Sequence, residues 1–236
     1  MARPITTGVA RLAVALAGGA ATAQSRHALV VGNAGYTAVA ALANPGNDAR
    51  LMARPLREAD FEVTLVRDAD QRQMKREIAA FGRRLREAGP GAIALFHHAG
   101  HGVQAAGRSF LIPVDVDIRD EADLEIEAVP ADWIPTRMES ARTTNIITLD
   151  ACRNNPFQRR FRSARDGGLA RMNAPIGSFV AFSTAPGAVA ADGDGRHSPC
   201  TAALARAIPT AGQPIEQMFK KGRIDVIART GGGQTP

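Results

Sequence analysis

Two apolar runs end in residues that could act together as nucleophile and base. Ala92 to Phe96 leads into His97-His98-Ala99-Gly100-His101-Gly102, and Asn145 to Leu149 leads into Asp150-Ala151-Cys152-Arg153. A thiolate attacks a carbonyl carbon, and an imidazole beside it carries the proton, so Cys152 and His101 are the minimum apparatus of cysteine catalysis. Short apolar runs bounded by Gly and polar residues predict buried strands. As neighbours in a parallel sheet, they release His101 and Cys152 at one carboxyl edge, where open α/β sheets collect their chemistry. The bland alternative for Cys152 is a small buried hydrophobe at a strand end.

The elements that must position this pair follow from periodicity. His27 to Gly32 is apolar and closed by Gly, a first buried strand. Asn33 to Pro45 reads as loop, and Gly46-Asn47-Asp48 offers N-caps for a helix over Ala49 to Ala59, which Pro55 would shorten or kink. Phe61 to Val66 is a second strand. Asp70 to Ala88 is the clearest helix, with Met74, Ile78, Phe81 and Leu85 recurring every three or four residues until Gly89-Pro90-Gly91 ends it. Arg108 to Val114 predicts an added strand or hairpin arm, Ala131 to Ala141 a helix, and Ser178 to Thr184 another strand. Asn154 to Pro175 is Arg- and Gly-rich and reads as a long loop. Helices over Thr201 to Ile208 and Ile215 to Arg229 complete the pattern. Strands alternating with helices imply a largely parallel sheet covered on both faces.

Composition narrows the function. The chain has 236 residues, 45% of them hydrophobic, enough for one α/β domain with a sizeable core. Its net charge is +6, carried almost wholly by Arg; Lys occurs only as Lys75, Lys220 and Lys221. The arginines are dispersed and aromatics make up 5%, so no nucleic-acid groove with stacking side chains is indicated. Arg3 and Arg11, the run Leu12 to Ala17, and Ala21-Thr22-Ala23 together read as a signal peptide over residues 1–23. The mature domain is then 24–236, periplasmic or secreted, or cytoplasmic if the leader is not a signal. The apolar run is too short for a stable membrane span. Cys152 and Cys200 are the two cysteines; in an exported protein they either pair as a disulfide or stay free, and pairing would disable Cys152.

With these residues in view, the chain resembles the caspase-like cysteine peptidases, and among them the bacterial caspase-domain proteins related to metacaspases and paracaspases. The resemblance rests on His101-Gly102, Asp150-Ala151-Cys152-Arg153, Gly46-Asn47-Asp48-Ala49, Phe110 to Asp115, Ser183 to Gly187 and Asp192-Gly193-Asp194-Gly195, in that arrangement over residues 27–236. The separation of about 50 residues between His and Cys is the one caspases have. The resemblance implies a three-layer caspase-like sandwich, a mainly parallel sheet with helices on both faces, and a Cys152–His101 dyad. It also implies an oxyanion hole made by the amide N–H groups of Gly102 and Cys152, where a residue without Cβ admits the substrate carbonyl closely.

In caspases Arg side chains receive a substrate Asp, whereas metacaspases and paracaspases bind Arg or Lys through acidic groups. Asp48 and Asp150 match those acidic motifs, Asp150 standing where a caspase has Gln, and Asp192 is a third candidate. Carboxylates in a closed pocket suit a guanidinium. The expectation is therefore an endopeptidase acting on protein or peptide substrates after Arg, with Lys second. It needs no cofactor, and calcium activation, known in part of the family, has no clear site. The rival reading is a catalytically inactive caspase-like interaction module. The Arg-rich segment Gln158 to Arg165 falls where caspases are cut between subunits and invites self-cleavage.

Where relatives often carry aromatic residues, this chain has His97 and His98, which with His101 invite a zinc reading. A strand entering a turn does not present them as a helix would, and the Glu of the zinc-protease pattern is missing, so no metal is expected. One of His97 and His98 is expected in the core with its nitrogens satisfied, the other partly exposed. His197, before Ser198, reads as a loop or helix-cap residue. Gly32-Asn33-Ala34-Gly35 lacks the full dinucleotide-binding pattern. Relatives commonly continue past a segment like Gly231 to Pro236 with another short strand, so the sequence reads as truncated or as a fragment.

Overall fold

The computed structural model describes residues 24–139, 143–151, 155–157, 161, 169–185, 188–193, 195–208 and 212–236. In chain order the elements are β1 (Arg26–Gly32), α1 (Pro45–Glu58), β2 (Glu62–Arg67), α2 (Gln71–Ala88), β3 (Ile93–Ala99), β4 (Gly102–Ala105) and β5 (Arg108–Leu111). They continue with α3 (Asp123–Glu127), β6 (Val129–Pro130), α4 (Trp133–Met138), β7 (Thr144–Asp150), β8 (Ser178–Phe182), α5 (Pro199–Ala207) and α6 (Ile215–Arg229).

The five strands rich in β-branched and aromatic residues form one sheet, ordered β2-β1-β3-β7-β8, with every pair parallel. Alternation along β1 sends Ala28 and Val30 to one face and Leu29 and Val31 to the other. On the first face they meet Leu95, Ile146, Met52, Leu56, Leu204 and Val226, so α1, α5 and α6 cover it. On the second, Phe96, Ile147 and Leu149 pack against Met74, Ile78, Phe81, Leu85, Ile134 and Met138 of α2 and α4. These are the three layers expected of a caspase-like sandwich. A small antiparallel sheet, β4-β5-β6, with its own core around Phe110, Ile112 and Ile118, sits beside the carboxyl edge of the large one.

Local chemistry sets the ends of α2. The Asp70 carboxylate accepts the Gln73 N–H at 2.6 Å, an N-cap, and Gly89 closes the helix with φ 76° while its N–H bonds Leu85. α1 differs from expectation at both ends. It begins at Pro45 and not at Ala49, because Pro at the first turn forfeits no bond and fixes φ for a helix. Pro55 does not break it: the ring is buried in the last full turn, where its missing N–H removes only the bond to Leu51 before the helix stops at Glu58.

Three elements went unread in the sequence. β4 and β6 are too short to show alternation, and α3 is a single exposed turn around Leu124. α4 is shorter than the helix expected over Ala131 to Ala141, whose end runs into residues outside those described. Among the described residues no helix is long and apolar enough to cross a membrane. Residues 1–23, read as a signal peptide, lie outside the described residues.

Candidate active site

β3 and β7 are neighbours, with Ala99 opposite Asp150, and the Gly100 N–H extends the pairing to the Asp150 carbonyl at 3.2 Å. Both runs therefore leave the sheet side by side at its carboxyl edge. At Gly100 the chain turns: φ is 157°, and a Cβ there would stand 2.6 Å from the Tyr36 hydroxyl. That hydroxyl accepts the His101 backbone N–H at 2.7 Å, and the two rings are 4.6 Å apart.

The His101 ring is 3% exposed, and its Nε2 lies 2.8 Å from the Ala40 carbonyl oxygen. A carbonyl only accepts, so Nε2 carries the hydrogen and Nδ1 is the basic nitrogen of the neutral ring. With Nε2 anchored, Nδ1 is the nitrogen left to carry a proton in transfer chemistry.

Cys152 and Arg153 lie outside the described residues, as does any bridge between Cys152 and Cys200. The residue before Cys152 is described. Ala151 is buried, and a Cβ on Gly102 would come within 2.7 Å of its carbonyl oxygen and 3.0 Å of its Cβ. Glycine at 102 is thus already required by the contact between β4 and the end of β7, a packing reason that sequence did not disclose. Gly102 pairs with Leu111, while the Ile112 N–H bonds the His101 carbonyl at 3.1 Å. That bond marks Gly102–Leu111 as a non-hydrogen-bonded pair, which aims the Gly102 N–H out of the ladder on the free side of β4. His101 also lines a cleft of about 330 Å³ with Ala40, Leu42, Val189 and Asp192.

Two of the three carboxylates share a hydrogen-bonding partner. Asp48 and Asp150 are 0% and 1% exposed, and Ser198 joins them: its N–H donates to Asp48 Oδ1 at 3.0 Å and its hydroxyl to Asp150 Oδ2. The Thr201 hydroxyl donates to the same Asp150 oxygen at 2.8 Å. His197 Nδ1 lies 3.3 Å from Asp48 Oδ1. Burial, and then the charge of Arg196, hold the His197 pKa below its ordinary value, so near neutral pH this contact joins a neutral ring to a carboxylate. Ser198 is at the same time the N-cap of α5, accepting the Thr201 N–H at 3.0 Å. Asp192 lines the cleft with His101. Its carboxylate accepts the Ala43 N–H at 3.2 Å and its carbonyl the Asn44 side chain at 2.6 Å. The segment holding Asp192, His197 and Ser198 is thereby folded over the start of α1.

The paired histidines of β3 are corrected. Both are buried, His97 at 1% and His98 at 0%, because β3 is the central strand and is covered on both faces. Strand alternation sends them to opposite sides of the sheet, so one ion could not be held by both.

Sequence reasoning missed Tyr36, Ala40, Ser198 and Thr201. Ala40 contributes only a backbone carbonyl and carries no signal. Ser198 was legible, since Ser-Pro before an apolar run is a helix start. Tyr36 is the only tyrosine of the chain and is buried in a loop, a combination that points to a bonded hydroxyl.

Comparison with known proteins bears on the fold and the family. The chain is 29% identical over 133 residues to the human mucosa-associated lymphoid tissue lymphoma translocation protein 1, and equally so to the mouse homolog. The match covers 56% of this chain but 15% of each relative. The crystal structure of protein GSU0716 from Geobacter sulfurreducens superposes with a TM-score of 0.64 at 15% identity. It covers 90% of this chain and 91% of that one, a likeness of fold. The sequence profile of the caspase domain matches residues 25–236, and the chain belongs to that family of peptidases.

Proposed function

We propose that the protein is a cysteine endopeptidase that cleaves after Arg, and second after Lys, with Cys152 as nucleophile and His101 as its proton-transfer partner. The observation that carries the reading is the anchored His101 ring, its Nε2–H on the Ala40 carbonyl and its backbone held by Tyr36, at the edge where β7 runs out toward Cys152. His101 Nδ1 takes the thiol proton as sulfur attacks the scissile carbonyl carbon. The developing oxyanion is met by the Gly102 and Cys152 amides, each donor contributing about 3–4 kcal/mol. The C–N bond breaks as His101 returns the proton to the leaving amine. Water, deprotonated by the same nitrogen, then hydrolyses the thioester and frees the thiol.

Asp48 and Asp150, joined through Ser198, form the acidic pocket, and an incoming guanidinium takes over the bond that His197 makes to Asp48. Asp192 contributes from the cleft wall. With residues 1–23 as a signal peptide, the enzyme acts in the periplasm or outside the cell.

The test is a panel of fluorogenic peptides ending in Arg, Lys, Asp or Leu, with Cys152→Ala and His101→Ala as controls. Arg- and Lys-ended peptides are cleaved by the unaltered protein only. A protein that cleaves none, and whose Cys152 alkylates only near the free-thiol pKa of about 8.5, is instead an inactive interaction module.

A further inference from the structure

The loop between β1 and α1 supplies both the Tyr36 hydroxyl and the Ala40 carbonyl that hold His101. It contains neither helix nor strand, so other contacts must fix its path. Its base is clamped to the end of β2. Asp68 Oδ1 accepts the N–H groups of Ala34 and Gly35, both at 2.8 Å, while the Asp68 N–H donates to the Gly32 carbonyl at 3.0 Å. Asp68 does this from φ 50°, a left-handed backbone that a short polar side chain tolerates when it bonds locally.

The Gly35 N–H shares a peptide unit with the Ala34 carbonyl. That carbonyl accepts the Tyr36 and Leu42 N–H groups, each at 3.0 Å, which closes the loop around Ala40. One peptide unit is therefore held by Asp68 at its nitrogen and gathers the residues bracketing Ala40 at its oxygen. The neighbouring Asn33 belongs to the core: it is 0% exposed, accepts the Ala69 N–H at 3.0 Å and donates to the Ile112 carbonyl at 3.2 Å. Asp68 is exposed, so its carboxylate serves the loop and not the core.

We propose that Asp68 is a positioning residue for the peptidase reaction. Through the Ala34–Gly35 peptide it sets where the Ala40 carbonyl and the Tyr36 hydroxyl meet His101. The inference rests on the reading of His101 as the proton-transfer partner. Ala34 is half-buried and Gly35 exposed, so water takes over their N–H groups when the carboxylate is removed, and the sheet stays intact. What shifts is the His101 ring, and a misplacement of about 1 Å can cost about 100-fold in rate.

Asp68→Gly removes the carboxylate and suits the left-handed backbone, whereas Asp68→Asn keeps an acceptor oxygen. With an Arg-ended peptide, Asp68→Gly should lower kcat about ten- to a hundredfold with KM little changed. Asp68→Asn should restore most of the lost kcat. An unchanged kcat in Asp68→Gly, an effect on KM alone, or an equal fall in both variants overturns the proposal. So does an Asp68→Gly protein that fails to fold, which would assign the carboxylate to stability. NMR of the histidine rings reads His101 without turnover. Its Nε2–H should exchange with solvent about tenfold faster in Asp68→Gly than in the other two proteins, as loss of a bond to a charged acceptor implies. Equal exchange in all three overturns the positioning role. If the unaltered protein cleaves no Arg-ended peptide, the proposed function fails while the NMR result still decides what Asp68 holds in place.

Discussion

Replacing His97 with asparagine should flatten the acid limb of the stability curve. Buried neutral in the folded chain with a pKa of about 4, and near 6.5 when unfolded, His97 binds a proton more readily in the unfolded state. Its contribution is therefore fully present above about pH 6.5 and is lost as pH falls toward 4. The gap between the two values corresponds to about 3 kcal/mol, of which about 2.5 kcal/mol has gone by pH 4.5. The shorter amide side chain would still offer an N–H to the Thr148 hydroxyl, which lies 2.8 Å from His97 Nδ1, and cannot titrate, so the variant carries a constant cost at every pH. Urea unfolding followed by circular dichroism near pH 7 and near pH 4.5 isolates the effect. The unaltered protein should lose about 2.5 kcal/mol more between the two conditions than His97→Asn. Other titrating groups are common to both proteins and cancel in that difference. Equal losses in the two proteins would refute a neutral, buried His97.

Three further outcomes follow from single contacts. Tyr36→Phe removes the acceptor of the His101 backbone N–H while keeping the ring; peptidase kcat should fall about tenfold, with unfolding stability reduced by about 1 kcal/mol. If kcat is unchanged, the hydroxyl does not set the His101 geometry. Ser198→Ala removes the α5 cap and a bond to the Asp150 carboxylate together, and should cost about 2–4 kcal/mol in chemical denaturation. A loss under about 1 kcal/mol would mean that the two carboxylates are held without it. Gly102→Ala forces a Cβ to within 2.7 Å of the Ala151 carbonyl, so both stability and activity should drop. A fully stable but inactive variant would instead assign Gly102 to the substrate carbonyl alone.

What the sequence disclosed and what it hid divide along physical lines. The five-stranded sheet was legible because its strands are short apolar runs closed by Gly or polar residues, and α2 because its apolar residues recur every three or four positions. His101 was legible as the end of such a run. The interactions that orient it were not: the Ala40 carbonyl has no side-chain identity, and the Tyr36 hydroxyl reaches His101 only after the loop following β1 folds back over β3. The burial of both His97 and His98 was missed for a related reason. Polar residues in a strand suggest one wet face, but with helices on both sides of β3 there is none. The acidic motifs pointed to Asp48 and Asp150, yet nothing in their spacing showed that Ser198 joins them or that Asp192 lines the cleft with His101.

Asp150 is where these threads converge. Its backbone carbonyl receives Gly100, the residue before His101; its carboxylate receives Ser198 and Thr201 from the start of α5; and it walls a cavity shared by His97 and Ser183. Through Ser198 it is tied to Asp48 on α1, across about 150 residues of chain. The pocket proposed for the substrate cation therefore cannot form before α1 and α5 have docked on the same face of the sheet that contains β7. Contacts of such long sequence separation are made late in folding, because loop closure must precede them. A partly folded chain would thus hold the sheet and α2 while lacking the acidic pocket, so acquisition of activity on Arg-ended peptides should trail recovery of secondary structure during refolding. Activity that returns in step with the circular dichroism signal would show that the pocket assembles with the sheet and not after it.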